Sequence, residues 1–236
     1  MKAIILAAGK GERLKEITHS VPKPMINYKG KPILEHNIGL CKKIGISDIY
    51  INLYHLSEKI TEYFGDGNKF GVNIKYSYER ELLGTAGAVK HIIDEYLRGD
   101  KNFSYPLFVI YGDNYSEYNL NLLINKYKET GGSVIGFHYR EDTSQSGVAE
   151  FNAKGRIIEF IEKPLPQQSQ SHWVNAGIYL LEESVVELIS LRVSDFGKGV
   201  FPLALKNNIP LYGICDNSEV RAFDTPEMYK RSSEAI

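Results

Sequence analysis

The stretch Lys2-Ala-Ile-Ile-Leu-Ala-Ala8 is apolar from Ala3 onward and stops at Gly9. A run with no polar face predicts a strand buried on both sides, the kind used by parallel sheets with helices packed over them. It falls far short of the roughly 20 apolar residues that a membrane-spanning helix needs. Met1-Lys2 before the run hints at a signal peptide, but the run is too short for one and Gly9-Lys-Gly-Glu-Arg13 follows at once. We therefore read it as a first strand opening into a loop.

Strands and helices then alternate. Apolar residues Ile33, Leu34, Ile38, Cys41 and Ile44 recur at helical spacing, and Gly45 supplies a stop. The sequence predicts a strand over 46–53, a short helix over 56–64, a strand over 72–78, a helix from Ala86 to about Leu97, and a buried strand over 107–111 that ends at Gly112-Asp113. Later, 148–151 and 156–161 flank Asn152-Ala-Lys-Gly155, a hairpin signal that brings antiparallel pairing. A strand over 173–181, a helix over 182–190 and a strand over 209–215 follow. This alternation implies a three-layer α/β sandwich around a mixed, mainly parallel sheet. At 236 residues, with no linker-like or repeated segment, the chain reads as one continuous domain.

Composition narrows the function. Lys and Arg number 28 against 29 Asp and Glu, a net charge of −1, which gives no electrostatic footprint for nucleic acid or an anionic membrane. A small local site for phosphates remains compatible with that balance. Two cysteines, Cys41 and Cys215, exclude a disulfide scaffold or a cysteine-based zinc site and suit a cytoplasmic enzyme. The six histidines show no metal or triad spacing and read as structural or surface residues.

Four features carry chemistry. Gly9 and Gly11 follow the first strand, where glycine lets backbone N–H groups approach a phosphate, and Arg13 adds a bidentate donor. Leu14 stands where a dinucleotide fingerprint would have its third glycine, and the Gly-Lys-Ser/Thr ending of a P-loop is missing. Lys23 sits between Pro22 and Pro24, a stiff setting for a phosphate partner. Asp113 ends a buried strand, where open α/β sheets place ligands. Asp224 lies between a strand-like run and a helix that Pro226 can open, and with Asp113 it makes a pair able to share Mg²⁺. Taken singly, each has a plainer reading: a flexible turn, a solvated loop lysine, a helix N-cap.

Taken together, they form a pattern. Leu6-Ala-Ala-Gly-Lys-Gly-Glu-Arg-Leu14 followed by Pro22-Lys-Pro-Met25 resembles the signature of sugar-1-phosphate nucleotidyltransferases. The resemblance continues through Gly30-Lys-Pro-Ile-Leu-Glu-His36, Glu62-Tyr-Phe-Gly-Asp-Gly67, Leu83-Gly-Thr-Ala-Gly-Ala88, Gly112-Asp113, Glu162-Lys-Pro164 and Asn175-Ala-Gly-Ile-Tyr179. It covers nearly the whole chain, in the family's order. It implies a Rossmann-like, GT-A-like fold over a single domain, 1–236, without the left-handed β-helix domain that some relatives carry behind it. It also implies an enzyme that joins a nucleoside triphosphate to a sugar 1-phosphate and releases pyrophosphate, with Mg²⁺ as cofactor.

By resemblance, Leu6, Ala8, Gly9 and Gly11 with Arg13 would hold the nucleotide, and Lys23 would bind the α-phosphate under attack. Asp113 and Asp224 match the family's metal ligands, Asp113 also lying on the nucleotide side with Gly84 and Thr85. Glu162 and Asn175 match positions that bond sugar hydroxyls, Lys163 the one on the sugar phosphate, and Gly147 the one lining the sugar pocket. Arg13, Lys23 and Lys163 are the expected catalytic cations.

Glu79 stands five residues before Gly84, where thymidylyltransferase relatives carry a glutamine that reads the base. An ionised carboxylate only accepts hydrogen bonds, which suits the adjacent donors of guanine better than uracil or thymine. Glu81-Leu-Leu-Gly-Thr-Ala-Gly87 also resembles mannose-1-phosphate guanylyltransferases. GTP with a mannose or heptose 1-phosphate is therefore the leaning, with Glu81 competing for the role of Glu79 and CTP, UTP and dTTP left open. Asp195-Phe-Gly-Lys-Gly-Val-Phe-Pro202 departs from related segments in having Gly199 where an acid is usual. A nucleotide-sugar-consuming glycosyltransferase and a non-catalytic nucleotide-sugar sensor are the alternatives of other classes. The oligomeric state stays open, a homodimer among the options.

Overall fold

The computed structural model describes residues 1–11, 14, 18–165, 167–190, 194–226 and 229. In chain order its elements are β1 (Ala3–Leu6), β2 (Asn27–Tyr28), β3 (Lys31–Pro32), α1 (Ile33–Lys43), β4 (Asp48–Leu53), α2 (Ser57–Phe64), β5 (Asn73–Tyr78), α3 (Gly84–Ile92), β6 (Leu107–Tyr111) and β7 (Asn114–Ser116). There follow α4 (Leu120–Thr130), β8 (Ser133–Tyr139), β9 (Gly147–Phe151), β10 (Ile157–Glu162), β11 (Trp173–Leu181), α5 (Glu183–Val186), α6 (Phe201–Lys206), β12 (Leu211–Asp216) and β13 (Val220–Ala222). The contacts gather into two compact units. The first takes in Lys2–Leu82, Ile110–Tyr118 and the chain from Glu219; the second takes in Leu83–Val109 and Asn119–Ser218.

In the first unit β1 pairs in parallel with β4, from Ala3↔Ile49 to Leu6↔Asn52, and β4 pairs in parallel with β5. All four residues of β1 are buried, as its uniform apolar sequence requires. Helix α1 buries Ile33, Leu34, Ile38 and Cys41, the predicted stripe, and Lys42 and Lys43 in its last turn complement the helix dipole. Two small antiparallel ribbons complete the unit: β2 with β3, and β7 with β13. They share a cluster of Leu14, Ile26, Tyr28, Ile33, Tyr115 and Phe223, in which the Tyr28 ring lies edge-on to Tyr115 at 4.6 Å and to Phe223 at 5.3 Å.

The second unit is built differently. The predicted hairpin forms as β9 and β10, and β11 runs antiparallel to β8 with a bulge between Asn175 and Tyr179. Strand β12 lies parallel to β8. Phe137, Phe160, Tyr179, Phe196 and Phe201 fill its core with edge-on, tilted and stacked ring pairs 5.1 to 6.4 Å apart. The fold is thus α/β with a mixed sheet, as the alternation implied, and antiparallel pairing enters where the hairpin signal placed it.

Some boundaries differ. The helix predicted from Ala86 begins at Gly84 and passes into a π-helical turn over Ile93–Leu97. The helix predicted over 182–190 is only the four-residue α5, with i→i+3 turns carrying the chain on to Ile189. Helix α4 and strands β7 and β8 lie in a stretch, 114–139, for which the sequence predicts no element.

Candidate functional site

The glycine loop after β1 begins where the strand loses its neighbours. The Leu6 carbonyl accepts from the Gly112 N–H at 2.8 Å, which ties the end of β1 to the Gly112-Asp113 turn. A side chain at Gly112 would meet Ile5 and the Leu6 carbonyl at 2.9 Å, so only glycine allows that approach. Asn37, fully buried on α1, donates from Nδ2 to the carbonyls of Tyr111 (3.4 Å) and Asn114 (3.1 Å) and so brackets Asp113 from both sides. Gly11 adopts φ +64°, and a Cβ there would meet Thr18 Cγ2 at 2.7 Å, whereas a Cβ on Gly9 would meet nothing within 4 Å. Gly11 shapes the loop, and Gly9 leaves its backbone open to a ligand.

Lys23 opens a short 3₁₀ turn over Lys23–Met25, set there by Pro22 and Pro24. Lys23 is 5% exposed, and its ammonium donates to Asp113 Oδ2 at 2.6 Å and to Asp224 Oδ1 at 2.5 Å. Burial alone would favour the neutral amine, but the two carboxylates outweigh it and the pKa of Lys23 moves up. The carboxylates come together because Asp113 immediately precedes β7 and Asp224 follows β13, whose ribbon pairs Ala222 with Asn114. Gly9, Gly11, Lys23, Asp113 and Asp224, with Lys10, Leu14 and Leu82, line a cavity of about 390 Å³. Beyond Asp224, Pro226 is helical and the Tyr229 N–H donates to the Thr225 carbonyl. Arg13 lies outside the described residues.

Ala8 and Leu6 are buried beside the loop. Between them the Ala7 N–H donates to Asn52 Oδ1 at 2.7 Å, and Asn52 Nδ2 donates to Glu79 Oε1 at 2.6 Å. A backbone N–H must meet an acceptor, so this bond turns the Asn52 amide and presents its donor to Glu79. Glu79, 9% exposed, is thereby held as an acceptor beside the end of β1. Glu81, its competitor, is exposed.

The remaining predicted residues belong to the second unit. Gly147 and Glu162 are register partners across β9 and β10. A Cβ on Gly147 would come within 2.6 Å of Phe160 and 2.7 Å of Glu162 Oε2, and Gly197 likewise leaves room for that carboxylate. Burial, with the nearby Asp195, raises the pKa of Glu162 against the opposing pull of Lys163 and Lys198. Lys163 is exposed and holds φ +52°, with its N–H on the Ser146 carbonyl at 3.1 Å. Asn175 serves its own bulge: Nδ2 donates to the Tyr179 hydroxyl at 2.8 Å and Oδ1 accepts from the Gly177 N–H at 2.9 Å.

Gly84, at φ +75°, packs its Cα against the Ser194 carbonyl, which accepts from the N–H groups of Ala86 and Gly87. The Thr85 hydroxyl donates to Asp195 Oδ2 at 3.0 Å and accepts from the Phe196 N–H at 3.1 Å. Asp195 also caps the π-helical turn over Phe196–Val200 through Gly197 and Lys198. Asn37, Asn52 and Asp195 are not among the site residues that the sequence predicts. The available signal was a polar side chain inside an apolar pattern: Asn37 on the buried stripe of α1 and Asn52 within Ile49-Tyr-Ile-Asn-Leu53.

Comparison with known proteins fits this geometry. Residues 2–220 match the family model described as nucleotidyl transferase. The chain is 35% identical over 227 residues to the UTP–glucose-1-phosphate uridylyltransferase of Synechocystis, covering 91% of this chain and 58% of that one. It is 34% identical over 205 residues to mannose-1-phosphate guanylyltransferase 1 of Arabidopsis thaliana, covering 86% and 55%. Among solved structures, a candidate glucose-1-phosphate thymidylyltransferase from Bacillus anthracis in complex with a sucrose superposes with a TM-score of 0.84, at 25% identity over 100% of this chain and 94% of that one. The chain belongs to the nucleotidyl transferase family, and the relatives it matches are named as sugar-1-phosphate nucleotidyltransferases. It spans little more than half the length of those two sequence relatives. No helix among the described residues is long and apolar enough to cross a membrane.

Proposed function

We propose that this chain is a Mg²⁺-dependent sugar-1-phosphate nucleotidyltransferase, acting as one catalytic domain on GTP and a mannose-type or heptose-type sugar 1-phosphate. The observation that carries the reading is the Lys23 ammonium shared by Asp113 and Asp224 beside an open glycine loop. The sugar phosphate is already an anionic nucleophile, so the chemistry asks for no strong base. It asks for two polyanions to be brought together and neutralised. A phosphate oxygen of the sugar would attack the α-phosphorus as the bond to pyrophosphate breaks.

The donor set fits magnesium. Among the described residues no group of three or more His, Cys, Asp or Glu forms a closed metal cage. Mg²⁺ is commonly held by one or two carboxylates plus substrate phosphates, which is what Asp113 and Asp224 offer. When bound, the metal would neutralise and template the phosphates. Lys23 has three N–H donors, two of them on the aspartates, and would carry positive charge to the α-phosphate as those carboxylates turn to the metal. Gly9 and Gly11 would give backbone N–H groups to the triphosphate, with Arg13. In the second unit, Lys163 would meet the sugar phosphate, and Glu162 and Asn175 the sugar hydroxyls, with Gly147 leaving room. The buried acceptor at Glu79 supports guanine, whose N1–H and N2–H₂ lie side by side. A uridylyltransferase among the relatives favours UTP as the second reading. The unpaired cysteines, buried Cys41 and exposed Cys215, suit the reducing cytoplasm.

The test is pyrophosphate release with Mg²⁺ across GTP, CTP, UTP, ATP and dTTP, each with mannose, glucose and a heptose 1-phosphate. GTP with one of the first or last sugars is expected. UTP with glucose 1-phosphate would keep the reaction and remove the role given to Glu79. Nucleoside diphosphate release from a finished nucleotide sugar would replace the reading with a glycosyltransferase. Nucleotide-sugar binding without any turnover would point to a sensor.

A further inference from the structure

Six residues beyond Lys23, a second lysine grips the other end of the same ribbon. Lys29 Nζ donates to Glu117 Oε1 at 2.9 Å, Glu219 Oε2 at 2.9 Å and the Tyr115 hydroxyl at 3.0 Å, so all three of its N–H bonds have acceptors. Glu117 directly follows β7 and Glu219 directly precedes β13, and the Glu117 N–H donates to the Glu219 carbonyl at 2.9 Å, adding a rung to the ladder. The ribbon therefore carries an acidic pair at each end. Asp113 and Asp224 meet on Lys23, and Glu117 and Glu219 meet on Lys29. Both lysines come from one short stretch, the turn at Lys23–Met25 and the tip of the β2–β3 hairpin.

Two features mark Lys29 as more than a solvated hairpin residue. Its backbone sits at φ +48°, a left-handed conformation that costs a non-glycine residue on the order of 1 kcal/mol, and glycine follows at once in Gly30. Its ammonium also lies 4.7 Å from the Tyr115 ring centroid, against the aromatic cluster that joins the two ribbons. The ion pairs are partly exposed, with Lys29 at 38% and Glu117 at 53%, so they add little to global stability. What they constrain is the spacing of β7 and β13.

We propose that Lys29 is a positioning residue: by holding Glu117 to Glu219 it keeps the β7–β13 ribbon closed, and so keeps Asp113 and Asp224 at metal-sharing distance when Lys23 is drawn toward phosphate. This rests on the assignment of those two aspartates to the metal. Once Lys23 turns to the substrate, it no longer ties the two aspartates to each other. The second clamp holds the pair in place while the first changes partners.

The test is Lys29→Met beside Lys29→Arg, with Asp113→Asn and Asp224→Asn as references. Two readouts are taken: amide hydrogen exchange along the ribbon in the ligand-free protein, and the Mg²⁺ concentration for half-maximal pyrophosphate release. Lys29→Met, which loosens the ribbon without touching Asp113 or Asp224 directly, should exchange the ribbon amides roughly 10-fold faster and need roughly 10-fold more Mg²⁺, the low end of what support outside the ligand shell is worth to metal affinity. Turnover at saturating Mg²⁺ should be nearly kept, and Lys29→Arg should restore both readouts. Unchanged ribbon exchange overturns the proposal. So does faster exchange with an unchanged Mg²⁺ requirement, provided the aspartate variants have lost activity. If those variants keep normal activity, the metal assignment has failed, and ribbon exchange still reports whether the clamp exists. Should Lys29→Met not fold, Glu117→Gln carries the same two readouts.

Discussion

The two units hold their candidate site carboxylates by opposite means. In the first, Asp113 and Asp224 are held by charge, through the Lys23 ammonium, and Glu117 and Glu219 by Lys29. In the second, Glu162 is held by shape: Gly147 and Gly197 leave the space it fills, and Asp195 is fixed by backbone N–H groups and the Thr85 hydroxyl. A charge-held site can exchange its counter-ion for a metal or a phosphate without moving the backbone. A shape-held site is set before the ligand arrives and tolerates no added atom. On the function proposed above, the first arrangement would serve the reacting phosphates and the second the selection of a sugar.

Removing charge from the first unit should have the largest effect. Asp113→Asn and Asp224→Asn keep the side-chain shape and leave Lys23 one anionic partner. Pyrophosphate release should fall by on the order of 10³-fold or more in each, the scale of transition-state charge stabilisation by a bound metal or pre-set cation. Circular dichroism should match the unsubstituted protein. Near-normal turnover in either would mean that charge does not hold this site for catalysis.

Acid should then separate the units by stability. His138 on β8 is 7% exposed, and burial, with Arg140 nearby, pushes its pKa down to about 4. Asp216 pairs with it in register, but its carboxylate accepts from the Ser218 hydroxyl. The folded chain keeps His138 neutral while the unfolded chain takes up a proton near its ordinary value. Stability from this residue is therefore complete above about pH 6.5 and lost as pH falls through about 4. The loss amounts to roughly 3 kcal/mol across that window. Burial also pushes His36 down in the first unit, so the wild-type curve contains both residues. Urea unfolding of His138→Gln at pH 7 and pH 4.5 isolates the share of this one residue, and a pH dependence as steep as that of the unsubstituted protein would remove the assignment.

A smaller effect is expected from adding one methyl group to the second unit. Gly147→Ala places a carbon 2.6 Å from Phe160 and 2.7 Å from Glu162 Oε2, closer than real Cβ contacts come. Overpacking of this kind costs roughly 1–3 kcal/mol. It should also turn the Glu162 carboxylate away, raising the KM for sugar 1-phosphate about 10-fold while the KM for nucleotide stays put. Equal changes in both constants would mean that the two units do not divide the substrates in this way.

What the sequence made legible follows the same division. Local patterns were readable: the uniform burial of β1, the stripe of α1, and the hairpin announced by Asn152 and Gly155. Helix α4 escaped because only Leu120 and Leu123 are buried, although Asn119 caps it and Gly131 ends it at φ +69°. Strand β8 is buried along six of its seven residues, with Gly136 and His138 interrupting the apolar run that would have announced it. The chemistry of Lys23, Asp113 and Asp224 was legible as residue types in order. Their meeting was not, because it spans 90 and 201 positions of chain and rests on a ribbon of three-residue strands. The bonds from Ala7 to Asn52 to Glu79 were hidden for the same reason: the sequence displays each residue, and only the β1–β4 register puts Asn52 beside Leu6.

Gly199 gives the smallest predicted effect. Resemblance to related segments leads one to expect an acidic residue at this position, so glycine there bears on either sugar selectivity or the order of the loop. The segment nevertheless forms a regular π-helical turn, capped at Asp195, with Gly199 exposed and its N–H on the Asp195 carbonyl at 3.1 Å. A Cβ at 199 would meet nothing within 4 Å, so no crowding excludes a larger side chain. This is the one glycine of the segment that shape does not require, in contrast with Gly197 beside Glu162. Gly199→Asp should therefore change unfolding free energy by no more than about 0.5 kcal/mol, as surface substitutions do. An effect on sugar preference without an effect on stability would show that the missing acid acts on the ligand rather than on the loop, and would add this turn to the sugar site proposed for the second unit.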